Sequence, residues 1–192
     1  MKDLINMIIF ILILGIILTT ALVAMNYYTE PLIIKNEGVR LKVSILNALD
    51  IQFTQDQLEN LFSEKVSIKE NAGNTYYIST DGIIAFEFSG SGLWGPISGV
   101  LAMRPDLKTI DGISIIHQEE TPGLGSRIAE IIYLDTFKDK VFSPNLVPTA
   151  SREGLPENQI DGITGATMSC DAFLDILNEQ FEKYISTIPG EL

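Results

Sequence analysis

From Leu4 to Thr29 the chain carries no charged residue, and Leu4 to Met25 reads LINMIIFILILGIILTTALVAM, with Asn6, Thr19 and Thr20 its only polar interruptions. About 20 apolar residues cross a bilayer core as a helix, the form that satisfies every backbone polar group internally. A cleaved signal peptide would instead need a basic flank, an apolar core of roughly 7 to 15 residues and a small-x-small cleavage site. Here the run is longer and Lys2 is offset by Asp3. The expectation is a retained anchor over residues 1–29, with the lipid bilayer as its partner, and one ordinary domain over residues 30–192. Orientation stays open on local charge, because Lys2 favours one side while Lys35, Arg40 and Lys42 favour the other.

The net charge of -12 lies entirely from Glu30 onward. Such a surface repels a phosphate backbone, so nucleic-acid binding is excluded as a function class. It also lacks the clustered Lys and Arg that grip anionic lipid headgroups. The single Cys170 permits no intrachain disulfide, and the single His117 excludes a histidine-based metal site.

Tyr27 and Tyr28 follow the span where an aromatic belt belongs, and Pro31 reads as the break between anchor and domain. A helix is predicted over about Ile33 to Leu49, although Gly38 weakens it. Thr54 and Gln57 have capping-box spacing before a short helix from Gln55 to Glu64. Four segments then turn β-branched and aromatic: Thr75 to Ser79, Ile83 to Phe88, Ser98 to Met103 and Ile113 to His117. The pairs Asp81-Gly82, Gly95-Pro96, Arg104-Pro105 and Asp111-Gly112 separate them, the pattern of an antiparallel meander. From Asp171 to Ile188, Phe173, Leu174, Leu177, Phe181, Tyr184, Ile185 and Ile188 recur at spacings of three and four, which predicts an amphipathic helix over one sheet face. The fold class is α+β, an antiparallel sheet flanked by helices.

Three glycine-rich segments are candidates for chemistry. Ser89 to Pro96 contains the sole tryptophan, Trp94, beside Leu93; it suits either a planar ligand or a wide hairpin loop. His117 to Gly125 includes Glu120, Thr121, Pro122, Gly123, Leu124 and Gly125. Its turn can present several backbone N–H groups to one acceptor, or simply connect a strand to a helix. Glu119 and Glu120 face opposite sides of an extended segment and make no carboxylate pair. Asp161 to Cys170, with Thr164, Gly165, Ala166, Thr167 and Ser169, runs into the C-terminal helix. Small residues and hydroxyls there suit an anion site, and equally an N-cap made by Thr167 or Ser169. No Gly-Lys-Ser/Thr follows, so it is no P-loop.

Asp-Gly-Ile-Thr-Gly-Ala-Thr at 161–167 resembles the flavinylation motif of the FMN-binding domain family, in which a flavin transferase attaches FMN to the last threonine. His-x-x-Glu-Thr-Pro-Gly-Leu-Gly at 117–125 and Gly-Leu-Trp-Gly at 92–95 resemble further segments of its membrane members. Those members are the G subunit of the Rnf complex and the C subunit of the sodium-translocating NADH:quinone reductase. The resemblance covers nearly the whole chain in the same order. It implies covalent FMN on Thr167 as a phosphothreonine ester, and an electron carrier within an ion-translocating oxidoreductase complex. It also implies partner subunits and an extracytoplasmic domain on the cell (inner) membrane.

Three hydroxyls, Thr164, Thr167 and Ser169, compete as acceptors on chemical grounds, and the resemblance selects Thr167. Chain length favours the Rnf-type subunit, while Gly-Leu-Trp-Gly leans toward the quinone-reductase subunit. The resemblance places Asp161, Thr164, Gly165, Ala166, Ser169, the Glu120 to Gly125 turn, Leu93 and Trp94 around the cofactor. The alternative from another class is a cofactor-free membrane scaffold, with Thr167 acting only as a helix cap.

Overall fold

The computed structural model describes residues 2–71, 73–149 and 156–188. The chain forms two compact units, Met1–Arg40 and Leu41–Leu192. The first is part of α1, which runs Lys2–Ala48 and contains Pro31. Pro31 therefore does not break the helix: it removes one N–H and leaves one carbonyl a turn earlier without its donor, which a long helix tolerates. The apolar side chains from Leu4 to Met25 lie exposed, Leu22 at 72%. This helix is long and apolar enough to cross a membrane. Thr20 satisfies its own hydroxyl by donating to the Ile16 carbonyl (2.7 Å).

In the second unit the last turns of α1 carry Ile45, Leu46 and Ala48, all buried. A 3-10 turn at Gln55–Gln57 leads into α2, Leu58–Lys65. The predicted capping box is absent. The Thr54 side chain makes no cap bond, because the tighter turn takes the Gln57 N–H onto the Thr54 carbonyl (3.0 Å).

Five strands follow: β1 Val66–Asn71, β2 Asn74–Ser79, β3 Ile84–Ser91, β4 Pro96–Met103 and β5 Ile110–Gln118. They pair antiparallel in the order β1-β2-β3-β4-β5, the meander expected from the turn pairs. The unexpected member is β1. Its residues VSIKEN face solvent at every position but the first, so an edge strand left no apolar alternation to detect.

The sheet is covered on both faces. On one, α4 (Thr167–Ile185) lays Phe173 against Phe88, with centroids 5.9 Å apart, and stacks Tyr184 on Phe86 at 4.2 Å. On the other, Phe62 of α2 meets Tyr77 edge-on at 6.5 Å, and Ser44 of α1 donates to the Ser114 carbonyl (3.3 Å). Between β5 and α4 lie a 3-10 turn at Gly125–Ala129, the short helix α3 at Ile131–Leu134, a 3-10 turn at Asp135–Phe137, and a parallel pair of β6 (Val147–Thr149) with β7 (Gln159–Asp161). The sequence pattern predicts none of these short elements; each is below the length at which hydrophobic period separates helix from strand. The α+β class stands.

Gly112 of β5 shows how tightly α1 sits on the sheet, because a Cβ there would lie 2.3 Å from the Ala48 carbonyl oxygen. Backbone cannot swing aside as a flexible side chain would. Gly112→Ala is expected to cost about 1–3 kcal/mol. Urea unfolding of the detergent-solubilised full chain measures it, and an unchanged midpoint would refute this packing.

Candidate functional site

The three glycine-rich segments converge on one side chain. Glu120, only 3% exposed, accepts from the Leu93 N–H (2.8 Å) and the Trp94 N–H (3.1 Å) through Oε1. Its Oε2 accepts from the Ser169 hydroxyl (2.6 Å). Its own N–H donates to Gln118 Oε1 (2.7 Å). A buried carboxylate is costly unless it accepts hydrogen bonds, and three donors serve it here. Two glycines permit the close approach: a Cβ at Gly92 would fall 2.4 Å from Glu120 Oε1, and one at Gly125 would fall 2.5 Å from Ser169 Oγ. Glu119, next in the chain, is exposed and pairs with His117 (3.1 Å), so the two glutamates do face opposite sides.

The turn that follows spends its donors on itself. Leu124 and Ser126 donate to the Thr121 carbonyl (3.1 Å each), and the Gly123 N–H donates to the Ser126 hydroxyl (3.0 Å). These three amides are taken up within the turn itself. What the turn presents is Leu124, half-exposed, whose Cδ2 lies 3.5 Å from where a Cβ on Gly165 would be. Gly165 takes φ +84°, a conformation that strains other residues. Pro122 fixes the start of this turn, and Gly123 takes φ +75° within it.

The third segment is anchored at several points. The Gly162 N–H donates to the Thr149 carbonyl (3.0 Å), the Ala166 N–H to the Ile163 carbonyl (2.9 Å), and the Ile163 N–H to Cys170 Sγ (3.4 Å). α4 then begins at Thr167, four residues before the predicted start at Asp171, with Ala166 as N-cap and no side-chain cap. The capping reading of Thr167 or Ser169 is thereby corrected, since Ser169 turns to Glu120 instead of the helix backbone. Ser169 is 3% exposed and so closed to an external enzyme, whereas Thr164 and Thr167 lie at the surface.

A cavity of about 480 Å³ opens here, lined by Asp161, Gly162, Thr164, Gly165, Thr167 and Asp171 among others. Small-molecule sites run roughly 300–1,000 Å³. Its anion-attracting feature is the positive end of α4 at Thr167. Leu93, Trp94 (70% exposed), Leu124 and Met168 leave apolar surface in water, Leu124 beside the lining residue Gly165. The cavity thus offers a hydroxyl at a helix start, with the carboxylates of Asp161 and Asp171 in its lining and no basic side chain among the described lining residues. The sequence pattern marks Asp171 only as a helix start, yet it is four residues after Thr167 and so on the same helical face. Tyr133 joins the site with no local signal in the sequence. Burial pushes its hydroxyl above the usual tyrosine range, and its neighbour Cys170 is a weak acceptor that gives it no well-formed hydrogen bond.

Comparison with known proteins gives this geometry a context. The model of the family described as the FMN-binding domain matches residues 92–182, from the Leu93–Trp94 loop to the body of α4. The C subunit of the Na(+)-translocating NADH-quinone reductase of Chlamydia trachomatis is 29% identical over 143 residues, 64% of this chain and 44% of that protein. The corresponding subunit of Haemophilus ducreyi is 30% identical over 113 residues, 56% of this chain and 42% of that protein. The chain thus spans less than half the length of these curated relatives. In fold it matches the crystal structure of Shewanella oneidensis NqrC, with TM-score 0.65 and 20% identity over 73% of this chain and 90% of that one. The crystal structure of the same reductase subunit from Parabacteroides distasonis matches with TM-score 0.66 and 21% identity over 79% and 91%.

The Glu120 network has a direct test. Glu120→Ala leaves two amides and a hydroxyl without an acceptor, at about 1–3 kcal/mol each. Glu120→Gln keeps one oxygen and should cost about 1–2 kcal/mol. Amide exchange at residues 93 and 94 should accelerate strongly in the alanine variant and less in the glutamine variant. Equal protection in all three proteins would disprove the role.

Proposed function

We propose, from a chain that carries an FMN-binding domain over residues 92–182, that it holds FMN on Thr167 as a phosphothreonine ester and serves as the electron-carrying subunit of a membrane-bound, ion-translocating oxidoreductase complex. The observation that carries the reading is the difference between neighbouring hydroxyls. Thr167 is exposed in the 480 Å³ cavity at the start of α4, while Ser169 is buried on Glu120. Thr164 also borders the cavity but lies outside the helix, where the dipole is weaker. A flavin transferase would need a reachable hydroxyl, and Thr167 is reachable.

FMN, when bound, supplies one- and two-electron transfer; the protein positions and tunes it. The first turn of α4 favours the phosphate by roughly 0.3–1 kcal/mol. Leu124, Trp94 and Leu93 offer apolar contact to a ring, and the Glu120 bonds fix where that contact lies. A covalent tether keeps the cofactor at high effective concentration where free FMN would diffuse away. On this reading residues 1–29 anchor the chain in the cell membrane, residues 30–192 form the domain on the extracytoplasmic side, and the other subunits of the complex are its partners.

The curated relatives favour one version of the complex. They are C subunits of sodium-translocating NADH-quinone reductases, which supports the C-type subunit over the Rnf-type G subunit favoured by chain length. Both readings place the same cofactor on the same threonine. The cofactor-free scaffold leaves the cavity and the exposed Trp94 without a purpose.

Co-expression with a flavin transferase tests the tether. The wild-type chain should stay yellow after acid precipitation and gain the mass of one FMN less one water. Thr167→Ala should be folded, membrane-inserted and colourless, while Thr164→Ala retains covalent flavin. Covalent FMN on the Thr167→Ala protein would show that another hydroxyl is the acceptor.

A further inference from the structure

A second cavity, of about 340 Å³, shares the segment Asp161 to Thr164 with the first. The two differ in charge. The first holds Thr167 together with Asp161 and Asp171, and no basic side chain is among the described residues lining it. The second adds Arg127, Glu130, Ile132, Tyr133 and Thr136. Among the described residues lining either cavity, Arg127 alone is basic.

Arg127 is held in place by the turn that positions Leu124, its N–H donating to the Leu124 carbonyl (3.2 Å). Its guanidinium is half-exposed, and its ion pair with Glu130 spans 3.7 Å, too long for a hydrogen bond. A pair of that kind contributes little and releases readily to a better acceptor. Ile132, Ile163 and Tyr133 supply apolar wall beside it.

A phosphoester on Thr167 adds one negative charge to a cavity that already has two carboxylates, Asp171 being one helical turn from the ester. A second anionic group is therefore disfavoured there; the second cavity also keeps Asp161 and has Glu130, but it holds the one cation among the described lining residues, Arg127, to which such a group can turn. Reduction of a flavin creates such a group: two electrons from a reductant such as dithionite and one proton from solvent leave one negative charge on the N1–C2=O edge. We propose that Arg127 donates to this edge in the second cavity and stabilises the reduced, anionic ring, making it the residue that tunes the flavin. The assignment rests on the reading that Thr167 carries FMN.

The test uses the full chain, flavinylated and solubilised in detergent, titrated with dithionite at fixed pH. Arg127→Gln should lower the reduced-to-oxidised ratio at a given potential about tenfold, a fall of about 30 mV for a two-electron couple. Arg127→Lys should recover most of that shift, and Glu130→Gln should shift the ratio the other way. The resonance Raman band of the flavin C2=O should move to higher frequency in Arg127→Gln, a change that a purely structural role would not produce. A flavinylated Arg127→Gln protein with unaltered midpoint and band overturns the proposal, as does lost flavin loading with an unshifted midpoint in the loaded fraction. A wild-type chain without flavin on Thr167 overturns the parent reading instead, and intact mass separates the two failures before any titration.

Discussion

A buried carboxylate with no basic group among its hydrogen-bonding partners in the described residues organises this domain. The Glu120 carboxylate accepts from a hairpin loop and from the first turn of a helix, while its own N–H donates to the Gln118 side chain at the strand exit. The loop and the helix lie 26 to 49 residues away along the chain. An ionised group removed from water must be solvated by something, and here the protein provides the donors in fixed positions. The same bonds that make the burial tolerable hold Trp94, Leu124 and Thr167 in one neighbourhood. The frame of the site is thus built from the chain's own donors and acceptors.

α4 joins this frame to the core. Its apolar face buries Phe173, Leu174 and Leu177 against the sheet, and Phe137 packs on Phe173 with centroids 5.6 Å apart. Close packing of that kind lets the helix neither slide nor rotate without opening voids. The helix start at Thr167 is consequently placed by residues several turns away. Asp161, at the end of β7, is placed in the same manner by a parallel pairing with Thr149.

Charge divides the surroundings of the site. The chain is strongly acidic, and the cavity around Thr167 is acidic as well, offset by the positive end of one helix. Arg127 stands on the other side of a shared wall. The apolar segment at residues 4–29 carries no charged residue, so its burial in lipid would be hydrophobic.

Much of this is legible in the chain because it depends on local physics. An uncharged apolar run of bilayer length, turn pairs between β-branched segments and a 3.6-residue apolar period each report themselves within a few residues, and the anchor, the meander β2–β5 and the body of α4 follow from them. The solvent-facing strand β1, the three-residue strands β6 and β7 and the short turns around α3 carry no such period, and they form because neighbours complete their hydrogen bonds. The same limit applies at the site. The sequence by itself determined that Asp161 to Thr167 precedes a helix and that three hydroxyls lie close together. Only the tertiary structure set one of them apart, burying Ser169 on a glutamate 49 residues away while Thr164 and Thr167 stay open, because burial and long-range hydrogen bonding are properties of packing that no local stretch of chain contains.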